Sequence, residues 1–366
     1  MRVFNVGMIG FGFIGKVHSY SYENLKYYYP SSPFRAKVIG VCAQSENTLK
    51  IAKELYGIEF TTTDYKELID NPEIEIIDVS SPNIYHYQQL IYAIERQKHI
   101  YCEKPLVSDI EEAEKIKEKL KNYDKIHQMA FHNRFIPATI KTKELIESGF
   151  LGIPTIFKIS YYHSGSVEKE KPIGWKQEKG AGVLLDLGSH IIDLIYWFLG
   201  EFEEVIGNEK ILYPERPTKN GKIVRVEVED HININVKMKN GSIGIIEASK
   251  IATGTEDQLK YEIYGTCGAI RFNSENPNYI EVYSMKEKDG FKKIFTGGKY
   301  KESDFPGPKF TTGWIRAHIH SIYNFLNSVY ENRQTPPSIF DGIYNMNVMD
   351  KIKKSIESKK WEKMDE

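Results

Sequence analysis

Three glycines at the mouth of a helix constrain this chain more than any other feature. Gly10, Gly12 and Gly15 write GxGxxG directly after the apolar run from Val3 to Ile9 and at the start of a helical pattern from Phe13 to Tyr27. In that context the glycines serve three mechanical ends, namely a tight turn, the approach of bare backbone to a pyrophosphate, and close packing of helix on strand. The free amides of the helix N-terminus then face the phosphates. Gly10, Gly12, Phe13, Ile14 and Gly15 are therefore expected to cradle a dinucleotide at the first turn of a Rossmann domain.

The sequence that follows keeps the same rhythm. Short β-rich runs (Lys37 to Cys42, Ile74 to Ser80, His99 to Cys102, Ile126 to Phe131) alternate with helical patterns (Glu46 to Tyr56, Tyr85 to Gln97, Asp109 to Lys121), the last with Ser108 as its expected N-cap. Strands alternating with helices predict βαβ units and a doubly wound parallel sheet, and runs that are apolar throughout suit a sheet covered on both faces. At 366 residues the chain is too long for one ordinary core, so a second domain is required. After Pro137 the pattern changes to strands joined by turns: Thr155 to Tyr162, Arg225 to Lys237, Ser242 to Ala248, Tyr261 to Tyr264 and Tyr279 to Tyr283, with a hairpin signal at Asn240-Gly241. Helices from Trp314 to Asn332 and from Asp341 to Ser358 follow. The predicted fold is α/β: a Rossmann domain over 1–132, then an α+β domain over 133–366 with a largely antiparallel open sheet, serving substrate binding and oligomerisation.

Charge and cysteine usage remove several function classes. The 49 Lys and Arg nearly cancel the 50 Asp and Glu, so no overall field draws the protein to nucleic acid or an anionic membrane. Cys42, Cys102 and Cys267 are odd in number and widely spaced, which excludes a disulfide framework or a cysteine metal site and suits a reducing cytoplasm. The apolar stretch from Met1 to Ile14 reads as a buried strand and turn, not a signal peptide, because glycines interrupt it. The longest apolar candidate for a membrane span, Ile191 to Leu199, is short and broken by Asp193. A small neutral ligand fits best, with no nucleic-acid or membrane partner and no metal.

In open α/β sheets ligands gather beyond the carboxyl ends of the strands. The second strand ends in Val41-Cys42-Ala43-Gln44-Ser45, without the acid that ordinarily holds the ribose diol, and without an arginine for a 2′-phosphate. Gln44 and Ser45 there suit a ribose hydroxyl or tolerate a 2′-phosphate, and the choice between NAD and NADP stays open. Beyond the fourth strand stand Ser80, Ser81, Pro82 and Asn83, small polar residues suited to lie beside a cofactor. His86, one turn into the next helix, joins this cofactor side and reads as a structural residue, not a catalyst. Beyond the fifth come Glu103-Lys104-Pro105, a lysine fixed by a proline where the nicotinamide is expected.

Glu103-Lys104-Pro105, the GxGxxG start and the stretch Gly180-Ala181-Gly182-Val183-Leu184-Leu185-Asp186-Leu187-Gly188-Ser189-His190-Ile191-Ile192-Asp193 together resemble the glucose-fructose oxidoreductase, inositol dehydrogenase and rhizopine-catabolism (GFO/IDH/MocA) family. The likeness spans nearly the whole chain, since Asn133-Arg134-Phe135 with Pro137, and the end from Phe325 to Gly342, also match. The resemblance implies a catalytic group of Lys104, Asp186 and His190. Elementary chemistry agrees: Asp186 and His190 lie four apart on an expected helix and share a face. Oxidising an alcohol needs a base beside the carbinol while a nicotinamide takes the hydride, and histidine is the natural base near neutral pH. Lys104 would orient the hydroxyl and stabilise developing negative charge on its oxygen. Family analogy further points to Asn133, Arg134, His163 and Trp175 as substrate contacts, the indole suiting the apolar face of a sugar ring. His318 and His320, near the start of the penultimate helix, read either as residues that reach such a pocket or as solvated helix histidines. The expected function is hydride transfer between NAD or NADP and a sugar, inositol or related polyol, in a homodimer or homotetramer. Two rivals are a non-catalytic ligand-sensing relative, disfavoured by the intact catalytic group, and redox-assisted glycosidic cleavage.

Overall fold

The computed structural model describes residues 1–174, 180–298, 300–303 and 305–364. These divide into two compact units: Met1–Phe135 with Gly298–Tyr344, and Ile136–Gly297 with Asn345–Glu366.

The first unit carries a six-stranded sheet in the order β3-β2-β1-β4-β5-β6, formed by β1 (Arg2–Ile9), β2 (Phe34–Cys42), β3 (Phe60–Thr62), β4 (Ile76–Val79), β5 (His99–Cys102) and β6 (His127–Met129). All its pairings are parallel. The order reverses between β1 and β4, and that reversal opens the crevice in which a doubly wound sheet takes its ligand. Helices α1 (Phe13–Tyr28), α2 (Glu46–Tyr56), α3 (Tyr65–Asp70), α4 (His86–Glu95) and α5 (Ile110–Leu120) form the crossovers. The N-cap of α5 is Asp109, whose carboxylate accepts the amide of Glu112, one residue beyond the expected Ser108. Ser108 instead donates its own amide to the Glu112 carboxylate, so the two acids satisfy backbone donors on both sides of the helix start.

The expected boundary at residue 132 falls near the first crossing at Phe135, but Gly298–Tyr344, read from sequence as part of the second domain, packs with the first. The reason is apolar. Helix α8 (Trp314–Glu331) directs Ile319, Ile322, Phe325, Leu326 and Val329 into the cluster built by Phe4, Val6, Met8, Tyr22, Leu25 and Tyr101.

The second unit is built on a nine-stranded sheet in the order β16-β15-β14-β13-β7-β12-β11-β8-β17. Its strands are β7 (Pro154–Tyr162), β8 (Phe202–Lys210), β11 (His231–Met238), β12 (Ile243–Ser249), β13 (Gln258–Gly265), β14 (Gly268–Asn273), β15 (Tyr279–Ser284), β16 (Lys292–Phe295) and β17 (Glu362–Lys363). Among the described residues only the β7–β12 pair of this sheet is parallel, so the sheet is largely antiparallel as expected. The Asn240-Gly241 hairpin joins β11 to β12, with Gly241 at φ +85°. Alternation along β11 buries Ile232, Ile234, Val236 and Met238 and leaves Asn235 and Lys237 exposed. Three further helices are α6 (Pro137–Glu147), α7 (Ser189–Leu199) and α9 (Ile339–Ser358), the last beginning in residues of the first unit and ending in those of the second.

Arg225 to Lys237, expected as one strand, is broken. Ile223–Arg225 (β10) pairs with Glu215–Pro217 (β9) in a separate ribbon, and β11 begins at His231. The intervening acids serve backbone donors instead: Glu229 accepts the amide of Leu184 on its carboxylate, and Asp230 accepts that of Leu212.

Candidate active site

The glycine turn has the geometry its sequence predicts. Gly10 sits at φ +96°, and a Cβ there would lie 2.6 Å from the backbone of Ser80. A Cβ on Gly15 would lie 2.4 Å from the carbonyl oxygen of Gly10, so the helix can approach the strand only because that atom is missing. A Cβ on Gly12, by contrast, would meet no atom within 4 Å. That open space stands at the first turn of α1, where Gly12 is the N-cap and brings no side chain to satisfy the leading amides. Uncapped amides beside open space fit a pyrophosphate.

A cavity of about 370 Å³ continues from this turn along the tips of β1, β2 and β4. Gly10, Gly12, Gln44 and Pro82 line it, together with Ser45, Thr48, Tyr65, Ser81, Tyr85, Gln88 and Gln89. Tyr65, Thr48, Tyr85, Gln88 and Gln89 escaped the sequence reading because they follow strand tips by several residues, on helices α2, α3 and α4 or the turn before α4. No acid or base is among the lining residues.

Other expected cofactor residues support this wall from behind. Ser80 donates its hydroxyl to the carbonyl oxygens of Ile9 and Gly10, and Asn83, buried, donates to Ser108. His86 is fully buried; one ring nitrogen lies 2.9 Å from Ser81 O and the other 3.1 Å from Pro105 O and Leu106 O. It thus ties the β4 tip to the β5 tip, the structural role its sequence suggested, and burial lowers its pKa. Phe13 stands exposed on the first turn of α1 and stacks on Trp314, ring centres 5.9 Å apart; Ile14 beside it is half-buried.

Beyond β5, Glu103 is buried and Lys104 half-buried. His132, Asn133 and Arg134 follow in a short 3₁₀ turn and are all buried. Arg134 is paired with Asp341 at 2.9 Å, which also accepts from Ser338. His318 stacks on His132 at 4.0 Å between ring centres, and Trp314 donates its indole N–H to His132 Nε2. Burial pushes His132 down to about 4, in keeping with a neutral, accepting ring. His320, half-buried, meets the Tyr29 hydroxyl at 2.6 Å.

In the second unit Asp186 lies within a π-helical turn, Leu184–Gly188, and His190 in the first turn of α7 that continues it. The single helix expected here is therefore wound wider at Asp186, a form that recurs at functional sites. Asp186 Oδ2 lies 3.2 Å from Nζ of Lys250, both side chains nearly buried. Lys250, directly after β12, escaped the sequence reading: nothing local marks it, and it meets Asp186 only through the β12–β7 pairing and the turn packed on it. Gly182, at φ +105°, lets Glu229 press in, since a Cβ there would lie 2.5 Å from its carboxylate. Tyr161, on β7, places its ring 5.8 Å from that of His190. His163 is partly exposed just beyond β7, its Nδ1 accepting the amide of Gly165. Trp175 lies outside the described residues.

A parallel sheet with an uncapped, glycine-lined turn at its switch point defines a dinucleotide-binding oxidoreductase fold. Comparison with known proteins gives the family. Residues 4–131 match the model of the oxidoreductase family's NAD-binding Rossmann fold, and residues 143–364 that of the same family's C-terminal alpha/beta domain. The chain is 32% identical to levoglucosan dehydrogenase of Pseudarthrobacter phenanthrenivorans, over 99% of this chain and 98% of that one. It is 26% identical to myo-inositol 2-dehydrogenase of Thermotoga maritima, over 99% and 98% of the two chains. A solved levoglucosan dehydrogenase in complex with NADH and L-sorbose superposes with a TM-score of 0.96 at 30% identity, covering 100% of both chains. The chain belongs to the GFO/IDH/MocA oxidoreductase family. It is an NAD(P)-dependent oxidoreductase exchanging hydride with a CH–OH group of a sugar, inositol or related polyol, as its sequence implies.

Proposed function

We propose that the protein is an NAD-dependent sugar dehydrogenase in which Lys104, Asp186 and His190 act on one substrate, and that compact neutral sugars of the levoglucosan type are its substrate class. The observation that carries this reading is the Asp186–His190 turn, where a buried carboxylate and an imidazole stand one turn apart with Lys250 as the carboxylate's counter-ion. Similarity over the full length to a levoglucosan dehydrogenase supports the substrate class.

The residues then divide the work. Bound nicotinamide supplies the hydride acceptor. His190 takes the proton from the substrate hydroxyl, Lys104 donates a hydrogen bond to the same oxygen as charge develops there, and Asp186 accepts from a neighbouring hydroxyl. Lys250 pairs with Asp186 and fixes one oxygen of its carboxylate. The open space at Gly12 takes the pyrophosphate, and Gln44, Ser45 and Thr48 take the ribose. An uncharged lining lacks the cation that would reward a 2′-phosphate, which favours NAD. Asn133, Arg134 and His163 remain the candidate substrate contacts, and Arg134 also pairs with Asp341 and braces the 3₁₀ turn.

Ile243 and Ile156 are register partners on the β12–β7 pair, and with Ile245 they form an exposed apolar stripe on the open sheet. Burial of that stripe between copies is the reading we favour for a homodimer or homotetramer. Among the described residues no helix is long and apolar enough to cross a membrane, and the three cysteines are unbridged; both fit residence in the cytoplasm. An assay following reduced-cofactor absorbance with levoglucosan, inositols and open pyranoses tests the reading. Preferred turnover of levoglucosan with NAD supports it, and turnover confined to a sugar phosphate or to NADP removes it.

A further inference from the structure

Beneath the strand tips of the first unit runs a chain of buried charges that the reaction itself does not use. His18, on α1, is 0% exposed, and its Nδ1 lies 3.0 and 3.1 Å from the two carboxylate oxygens of Asp78 on β4. Its Nε2 lies 3.2 Å from Oε1 of Glu103, just past β5. Tyr22, one turn along α1, donates its hydroxyl to Asp78 at 3.1 Å. The second oxygen of Glu103 accepts the backbone amide of Lys104 at 3.0 Å. Two carboxylates on one ring demand an imidazolium: burial opposes the charge, but Asp78 and Glu103 carry the pKa of His18 up to about 10. Burial likewise opposes ionisation of Glu103, and His18 above all, with Lys104, outweighs it, holding the carboxyl below its ordinary range. Tyr101 and His318 are the other titratable groups facing the ring, their centres 5.2 and 5.9 Å away. His18, Glu103 and His318 could by spacing hold a metal ion, yet a ring protonated on both nitrogens has no lone pair to give.

We propose that His18, braced by Asp78, is a positioning residue: it holds the Glu103 carboxylate in place, and Glu103 clamps the backbone of Lys104 so that the lysine stands where the reaction needs it. The proposal rests on Lys104 being catalytic. Packing alone does not explain the arrangement, because three buried ionisable groups cost desolvation that apolar residues of the same volume would avoid. They are spent at the strand tips, where ligands bind.

The test compares His18→Gln with wild type by amide hydrogen exchange of the protein without substrate, and by turnover. His18→Gln removes the imidazolium beside the buried Glu103 carboxylate. Exchange of the Lys104 amide should then quicken while the β1 and β4 amides keep their protection, and kcat should fall by roughly 10²-fold, the scale of a small misplacement, with substrate KM little changed. The variant should also gain an acid limb in kcat as Glu103 takes up a proton. In His18→Gln/Glu103→Gln, where residue 103 still accepts from Lys104 without a charge, that limb should vanish and part of kcat should return. Unchanged exchange at Lys104, or quickening spread evenly through the first unit, overturns the clamp. Should His18→Gln fail to fold, Asp78→Asn probes the same chain and must show the same local pattern. Lys104→Ala separates the two readings: full activity in it removes Lys104 from catalysis, while the exchange result alone still decides the clamp.

Discussion

His190 and Lys104 carry the sharpest expectations at the scale of single residues. His190→Asn removes the proton acceptor and keeps a polar side chain of similar size, so turnover should fall by roughly 10²- to 10⁴-fold while NAD affinity holds, read by steady-state kinetics and fluorescence titration. Lys104→Ala should lose comparable rate, and the double variant should lose little more, because the two side chains serve one transition state. Lys250→Met tests the ion pair: taking the cation from this nearly buried pair should cost about 3–5 kcal/mol, seen in denaturant melts, with KM for substrate rising. Asp186→Asn in the same background should restore stability without restoring KM. Gln44→Asp should deepen the preference for NAD over NADP, since an acid beside the ribose repels a 2′-phosphate.

Two elements are open to direct test. At the α1 turn, valine at Gly12 has room to fold, so Gly12→Val should keep its melting temperature and lose NAD binding; both retained would place the cofactor elsewhere. In α8, Phe325→Ala should destabilise the first unit by about 3–5 kcal/mol, because the ring is wholly buried in that unit's core. The α1 turn was legible in the sequence because glycine spacing, strand and helix coincide there. The long helices α8 and α9 were legible by period, but α8 carries no mark of which core receives its apolar face. β3 and α3, of 3 and 6 residues, are too short to show a period at all. Likewise β8 and the β9–β10 ribbon are polar enough to pass for loops, and the π turn at Asp186 differs from an α-helix only in how its backbone closes. Pairings such as Asp186 with Lys250, and His18 with Asp78 and Glu103, join residues far apart in sequence. Only the folded chain shows them.

For the molecule as a whole, pH acts through the same buried charges. His18 rises from an ordinary 6.5 to about 10 on folding, so its share of stability is complete below 6.5 and drains away as pH climbs through about 10. Glu103 falls below its ordinary 4.5, so its share is present above that value and is lost in acid. Wild type should therefore lose its stability advantage over His18→Gln between neutral pH and pH 10, as melts across that range would show. The isoleucine stripe predicts assembly: Ile243→Lys should shift the protein to a smaller species by light scattering while leaving NAD binding intact. Whether this chain works as an NAD-dependent sugar dehydrogenase through His190 and Lys104 can be read in a single assay. NADH formation from levoglucosan is followed for wild type and His190→Asn at equal NAD saturation. Wild type should form NADH steadily and the variant at least about 10²-fold more slowly; equal rates in the two, or none in wild type with levoglucosan or any inositol, would refute the proposed chemistry.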